Sequence, residues 1–304
     1  MLKTHKIEQQ KIIECAEDSA NIFIYINPTD AEKRLLIDTL QIDEHTLNSA
    51  LDPDELPRLE FEPNHHAIIF NRPKNYTGQA KLLFKVASTG VFLFVNKLII
   101  VQTEDSPLFE GKHFLKISSF NDLVLKIIYR SIFHFLEHLK VINMISDDLE
   151  KKVNHAMDNG HLIHLFTLGK SLVYYVNAIH SNGMLIEKLK HNAHKIGFTA
   201  DEMEFLDDTL IENNQCARQA EIYSNILASL MDARASIVSN NLNVLMKTLN
   251  LITIGIMVPT LVVSAFSMNV KIPLSGHPHA FYGILGLALC SVVLLVINWK
   301  RKKW

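Results

Sequence analysis

Acidic residues run out early in this 304-residue chain. Asp232 is the last of them, and Arg234, Lys247, Lys271, Lys300, Arg301, Lys302 and Lys303 follow without a carboxylate. Residues 1–232 hold 23 basic against 32 acidic residues, a net charge of −9. An acidic body of this kind argues against nucleic acid as a partner and suits cations. Charge of either sign then almost vanishes, because Lys271 is the one charged residue between Thr248 and Trp299. Proline is missing between Pro107 and Pro259, which leaves room for long unbroken helices. Cysteine is scarce, and Cys15, Cys216 and Cys290 are scattered. Three such thiols suggest neither a disulfide framework nor a zinc motif, and they fit a reducing compartment. The amino-terminal MLKTHKIEQQ has no apolar core, so no signal peptide is expected. No P-loop, GxGxxG or triad signature appears. Nothing therefore points to ATP coupling, an enzyme or a catalytic cofactor.

What is present is apolar: 48% of the chain is hydrophobic, and the excess is localised. Thr248–Val270 and Ala280–Trp299 are each long enough to cross a bilayer, which takes about 20 mostly apolar residues. The best earlier rival, Leu82–Val101, carries Lys85 and Lys97 and is interrupted at Thr89-Gly90. Orientation follows from the basic residues. Lys247 precedes the first span and Lys300 to Lys303 follow the second, whereas the 271–279 loop between them holds one lysine. Both ends of the hairpin are expected on the cytoplasmic side of a cell membrane, with the lipid bilayer as the first partner.

The fold class expected is an α+β cytosolic domain, then long α-helices, then two carboxy-terminal transmembrane helices. Residues 1–118 read as the mixed domain, with strands at Asn21–Ile26, Ala67–Phe70, Lys81–Ala87, Gly90–Val95 and Leu98–Gln102. Short helices are expected near Ala31–Thr39 and Glu44–Ala50. From Ser119 the apolar residues take a helical period, as in Leu123, Ile127, Ile128, Ile132, Phe135, Leu136 and Leu139. Breaks fall at Asp158-Asn159-Gly160 and at Gly197, and Thr199 with Glu202 makes a capping box. Three long helices follow, at about 120–157, 161–195 and 200–267. Residues 119–247 form a helical stalk, 248–270 the first span, 280–299 the second and 300–304 a basic tail.

The third helix carries a row in alternating steps of four and three: Asp232, Ser236, Ser239, Asn243, Met246, Asn250, Thr253, Met257, Thr260 and Ser264. Every member is polar, small or Met, while Leu249, Leu251, Ile252, Ile254, Ile256 and Leu261 flank it. A heptad seam specifies contact with other helices. Within a bilayer, a polar seam must face protein or water. Small polar residues also serve as glue between packed helices, and the row alone does not separate glue from pore. Two spans cannot enclose a channel, so a pore needs several copies of the chain. Rings of carboxamide, hydroxyl and thioether carry no charge and suit an ion that keeps its water, as Mg²⁺ does.

Just past the row stands Ala265-Phe266-Ser267-Met268-Asn269. It resembles the aromatic-Gly-Met-Asn signature closing the first span of CorA-type divalent-cation transporters. Ser239-Asn240, Asn243, Met246-Lys247 and Leu249 resemble that family's run into the membrane, and Pro259 its membrane proline. Asp52-Pro53-Asp54-Glu55-Leu56-Pro57-Arg58-Leu59-Glu60 resembles its acidic cytosolic segment, and Val91–Thr103 its strand pair. The order of parts agrees over essentially the whole chain. The resemblance implies a funnel-shaped homopentamer with the first span lining the pore. It implies that Asn243, Met246, Leu249 and Met257 face the pore, and that Ser267, Met268 and Asn269 form the outer mouth. It implies passive transport of Mg²⁺, with Co²⁺ or Ni²⁺ beside it, gated by cytosolic divalent ions at Asp232 and, more loosely, Asp208. Two departures stand out. Serine replaces the signature glycine at Ser267, and the outer loop offers Lys271, His277 and His279 in place of an acid. Imidazole suits zinc, so transport of Zn²⁺ or another transition metal on the same scaffold is the alternative. His134-Phe135-Leu136-Glu137-His138 spells H-x-x-E-H, an inverted zinc-protease motif. No third ligand accompanies it, and it reads as part of a periodic helix.

Overall fold

A computed structural model describes residues 1–75, 82–155, 159–268 and 278–301. Two compact units are present, Met1–Met231 and Asp232–Trp304.

The first unit is built on a seven-stranded mixed sheet. Its strands are β1 (Leu2–Glu8), β2 (Lys11–Glu14), β3 (Ile22–Ile26), β4 (Arg58–Phe61), β5 (His65–Pro73), β6 (Val86–Phe94) and β7 (Leu98–Gln102), in the order β2-β1-β3-β7-β6-β5-β4. The β3–β7 pair is parallel and the other pairs are antiparallel. Leu98–Gln102 is a strand as expected, and β6 turns into it over Asn96-Lys97. The interruption expected at Thr89-Gly90 is absent, and Val86–Phe94 is one strand. Gly90 is a point of close approach: a Cβ there would stand 2.4 Å from the Cβ of Ala50.

Helices cover both faces of the sheet. On one side lie α1 (Asp30–Asp38) and α2 (Glu44–Ser49), close to the expected bounds. Thr29 and Glu32 close a capping box on α1, and Asp43 caps α2. Leu36 of α1, Ile42 of the connection and Leu47 of α2 are buried in one cluster with Tyr25, Phe92, Ile99 and Val101. On the other side lie α3 (Phe120–His155) and α4 (Asn159–His191). The helical period read from the sequence is the buried face of α3: Leu123, Ile127, Ile128, Ile132, Phe135 and Leu139 pack on Ile24, Ile68, Phe70, Val91 and Ile100. A short helix α5 (Ala193–Ile196) stops at Gly197, which is left-handed at φ 85°. Thr199 and Glu202 then start α6 (Ala200–Phe266) with the expected reciprocal cap.

Among the described residues, three helices are long and apolar enough to cross a membrane. Two are α6 and α7 (Ala280–Arg301), as expected. The third, Leu162–His191 within α4, was not expected from the sequence. Its Leu165, Leu168, Leu172, Tyr175 and Ile179 are buried in the same core as α3, so its apolar face has a protein partner.

Candidate ion-conduction site

The row of polar, small and Met residues lies on α6 without interruption. Asn243, Met246, Leu249, Asn250, Thr253 and Met257 are all helical and all exposed. Exposure alone does not mark a pore. Met257 is 63% exposed, and so is the hydrocarbon side chain of Ile256 beside it. Chemistry separates the two. Thr253 donates its hydroxyl to the carbonyl of Leu249 at 2.9 Å, and Thr260 to that of Ile256 at 2.6 Å. These hydroxyls are satisfied inside the helix, so they do not themselves demand water or a partner. The demand falls on Asn250, inside the expected span, whose carboxamide has no hydrogen-bond partner among the described residues; Asn243, which precedes Lys247, is open to water. A carboxamide in hydrocarbon without a partner is costly.

Pro259 sits inside α6. It has no N–H to offer the carbonyl of Gly255, four residues earlier. At about 100° per residue, that carbonyl belongs to a position opposite Thr253 on the helix.

The residues of the expected outer mouth divide. Asn269 lies outside the described residues, as do Lys271 and His277. Ser267 and Met268 follow the last residue of α6, and Met268 is 60% exposed. Ser267 closes the helix, with its hydroxyl 3.0 Å from the Ser264 carbonyl and 3.1 Å from that of Val263. Its φ is not positive, so this backbone position does not require the glycine of the signature.

Asp208 and Asp232 are both exposed on α6. Asp208 lies near Tyr129, whose phenol is pushed up by burial first and then by Glu212 and Asp208. Among the described residues, no three His, Cys, Asp or Glu side chains gather where they could hold a metal. Two members of the H-x-x-E-H motif, His138 and Glu137, are engaged elsewhere. His138 Nδ1 is 2.6 Å from the Tyr175 hydroxyl, and Glu137 pairs with Arg130 at 3.2 Å.

An α+β body, a helix continuous with an apolar segment, a second apolar helix and an uncharged polar row together define a membrane cation-transport protein. Comparison with known proteins gives the particular family: residues 17–301 match the CorA-like Mg²⁺ transporter protein model, and the chain belongs to that family. It is 24% identical over 295 residues to the cobalt/magnesium transport protein CorA of Methanocaldococcus jannaschii, covering 91% of this chain and 89% of that one. The complete structure of the CorA magnesium transporter from that organism superposes with a TM-score of 0.82 at 22% identity, over 99% of this chain and 96% of the other. Full-length CmaX matches at a TM-score of 0.74 and 14% identity, over 100% and 97% of the two chains. The cytoplasmic domain of ZntB from Vibrio parahaemolyticus matches at 0.60 and 12%, over 78% and 98%. At these identities the structural likenesses speak for the fold.

Proposed function

We propose that the chain assembles into a homo-oligomer, five copies by resemblance, that conducts hydrated Mg²⁺ passively along an axis lined by α6. The observation that carries this reading is the row from Asn243 through Met246, Asn250, Thr253 and Met257 on one face of α6, within a chain of the CorA-like family. Asn243 and Asn250 offer amide groups to the water shell of an ion that dehydrates reluctantly. Met246, Leu249 and Met257 narrow the path between them. Co²⁺ belongs to the same reading, since the curated relative is named for cobalt and magnesium. Ser267, Met268 and Asn269 form the outer mouth, and Asp208 and Asp232 are sites for regulatory cytosolic ions. Residues 1–247 and the basic tail lie in the cytosol, and 271–279 outside the cell membrane. The membrane potential drives uptake, supplying about 2.3 kcal/mol per charge per 100 mV and so about twice that for a divalent ion.

Uptake of Mg²⁺, Co²⁺, Ni²⁺ and Zn²⁺ into proteoliposomes, with and without an inside-negative potential, tests the proposal. The expected result is Mg²⁺ entry that rises with the potential and needs no ATP. Zn²⁺ entry without Mg²⁺ entry would instead support the transition-metal reading. Absence of uptake for every ion would remove the proposal.

A further inference from the structure

Ile68 and Phe70 of β5 lie in the core that α3 covers. Side chains alternate along a strand, so the next residue on that face is Arg72. It is buried, at 3% exposure. Its Nε donates to Thr89 Oγ1 at 3.1 Å, and Nη1 donates to the Pro73 carbonyl and to Glu104 Oε1 at 3.2 Å each. Nη2 donates to the Glu104 carbonyl at 3.4 Å, and its second proton is left over among the described residues. Burial works against the charge on Arg72, and Glu104 offsets this only in part.

Arg72 borders a cavity of about 90 Å³ between β5, the 106–108 segment and α3. Ile127, Arg130, Ser131 and His134 line it from one face of α3, at spacings of three and four. Two guanidinium groups thus meet one small space. The His134 ring is held neutral by burial first, and then by His138, Arg130 and Arg72. The hydroxyls at the cavity are spent. Ser131 donates to the Ile128 carbonyl at 2.6 Å and Ser106 to Gln102 Oε1 at 3.2 Å. The cationic donors are not. Arg130 gives one N–H, from Nη1, to Glu137 Oε2 at 3.2 Å, and its other N–H groups have no partner among the described residues. His134 meets the His138 ring and has no hydrogen-bond partner among those residues; its neutral imidazole keeps one N–H. Glu137 is the one carboxylate among the described lining residues, and it is 55% exposed. An ion pair that open contributes little. The volume exceeds the roughly 10–15 Å³ that one water needs and falls below the roughly 300 Å³ at which sites for drug-sized molecules begin.

We propose that this cavity binds a small oxyanion, such as inorganic phosphate or sulfate, between Arg72, Arg130 and His134. Arg130 holds the ion with its fork of donors. Arg72 supplies buried charge and the remaining Nη2 proton, and His134 supplies its N–H. The bound ion ties β5 to α3 within the first compact unit. The H-x-x-E-H segment then serves an anion, with His134 as a donor and Glu137 as the competitor that the ion displaces from Arg130. The site does not depend on the proposed channel.

Isothermal titration calorimetry on the full-length chain in detergent, in Mg²⁺-free buffer at fixed ionic strength, tests this with phosphate and sulfate as probes. Saturable binding of one ion per chain is expected. Arg130→Gln should weaken it about tenfold or more, the scale of a charged hydrogen bond. His134→Leu, whose ring lines this cavity, should weaken it as well. Glu137→Gln frees Arg130 and removes the competing charge, so it should tighten binding about two- to fivefold, the scale of an exposed ion pair. Absence of saturable binding to the wild type would overturn the proposal, and so would an affinity that none of the three variants changes. If Arg130→Gln and His134→Leu fail to fold, Glu137→Gln decides, and an affinity at or below that of the wild type would then overturn the site.

Discussion

His134 and His138 stand one turn apart on α3 with ring centroids 4.5 Å apart, and their environment holds both neutral. Burial is the main cause for each. For His134, His138, Arg130 and Arg72 add to it and bring the pKa to about 3. For His138, Glu137 opposes burial only in part, and the pKa falls to about 4. Unfolded histidine titrates near 6.5, so below that pH the unfolded chain binds more protons than the folded one. The stability these residues contribute is complete above pH 6.5 and is lost as pH falls from there toward about 3. Thermal unfolding of the full chain in detergent between pH 7.5 and 4.5 checks this. The double variant His134→Leu, His138→Phe should lose stability less steeply on acidification than the wild type. Equal slopes would show that these imidazoles do not control the acid response. The same residues show where the sequence was silent. The spacing H-x-x-E-H was legible and its chemistry was not, because Tyr175, which meets His138, lies 37 residues away on α4. The partners of Asn71 and Asn182, 111 residues apart, were hidden for the same reason.

At the scale of elements, periodicity served the helices well and the outer strands poorly. The buried stripe of α3 and the cap that starts α6 were legible because both signals are local. β1 and β2 were missed. No residue of either is fully buried, so neither shows a clean alternation, and their turn is Gln9-Gln10, left-handed at φ 51° and 62° without asparagine or glycine to announce it. β4 was missed because its four residues sit in the acidic segment around Arg58, which draws attention for its charge. The opposite error concerns α4. Length and composition allow Leu162–His191 to cross a membrane, whereas its packing places Leu168, Leu172 and Tyr175 in a protein core. A fragment of residues 1–231, the first compact unit, should therefore fold in water without detergent. Circular dichroism should show its helices and a cooperative melt. A fragment that is recovered only in detergent would mean that the burial of α4 depends on the membrane.

The whole molecule raises the question of what covers α6. Asn250 finds no partner among the described residues, and the proposed pore needs several copies because two spans cannot surround an ion. Several copies around an axis would place Asp232, which is exposed, in a ring of carboxylates at the cytosolic end of the row. Like charges near one axis repel, and a bound divalent cation removes the repulsion. On the proposed reading, high cytosolic metal would favour the closed, symmetric assembly by as much as the ion binds that state more tightly than the open one. Two measurements follow. Native mass spectrometry in mild detergent should give a homo-oligomer, with five copies expected from the family resemblance, and a clean monomer would remove the pore. Asp232→Asn should then weaken the dependence of flux on internal Mg²⁺ by about fivefold or more, the scale of ordinary coupling energies, while conduction itself persists. It should also weaken the protection that Mg²⁺ gives the cytosolic part against protease. If both responses survive the substitution intact, Asp232 is an ordinary solvated carboxylate. Asp208, near Tyr129 on the same helix, would then be the next residue to neutralise.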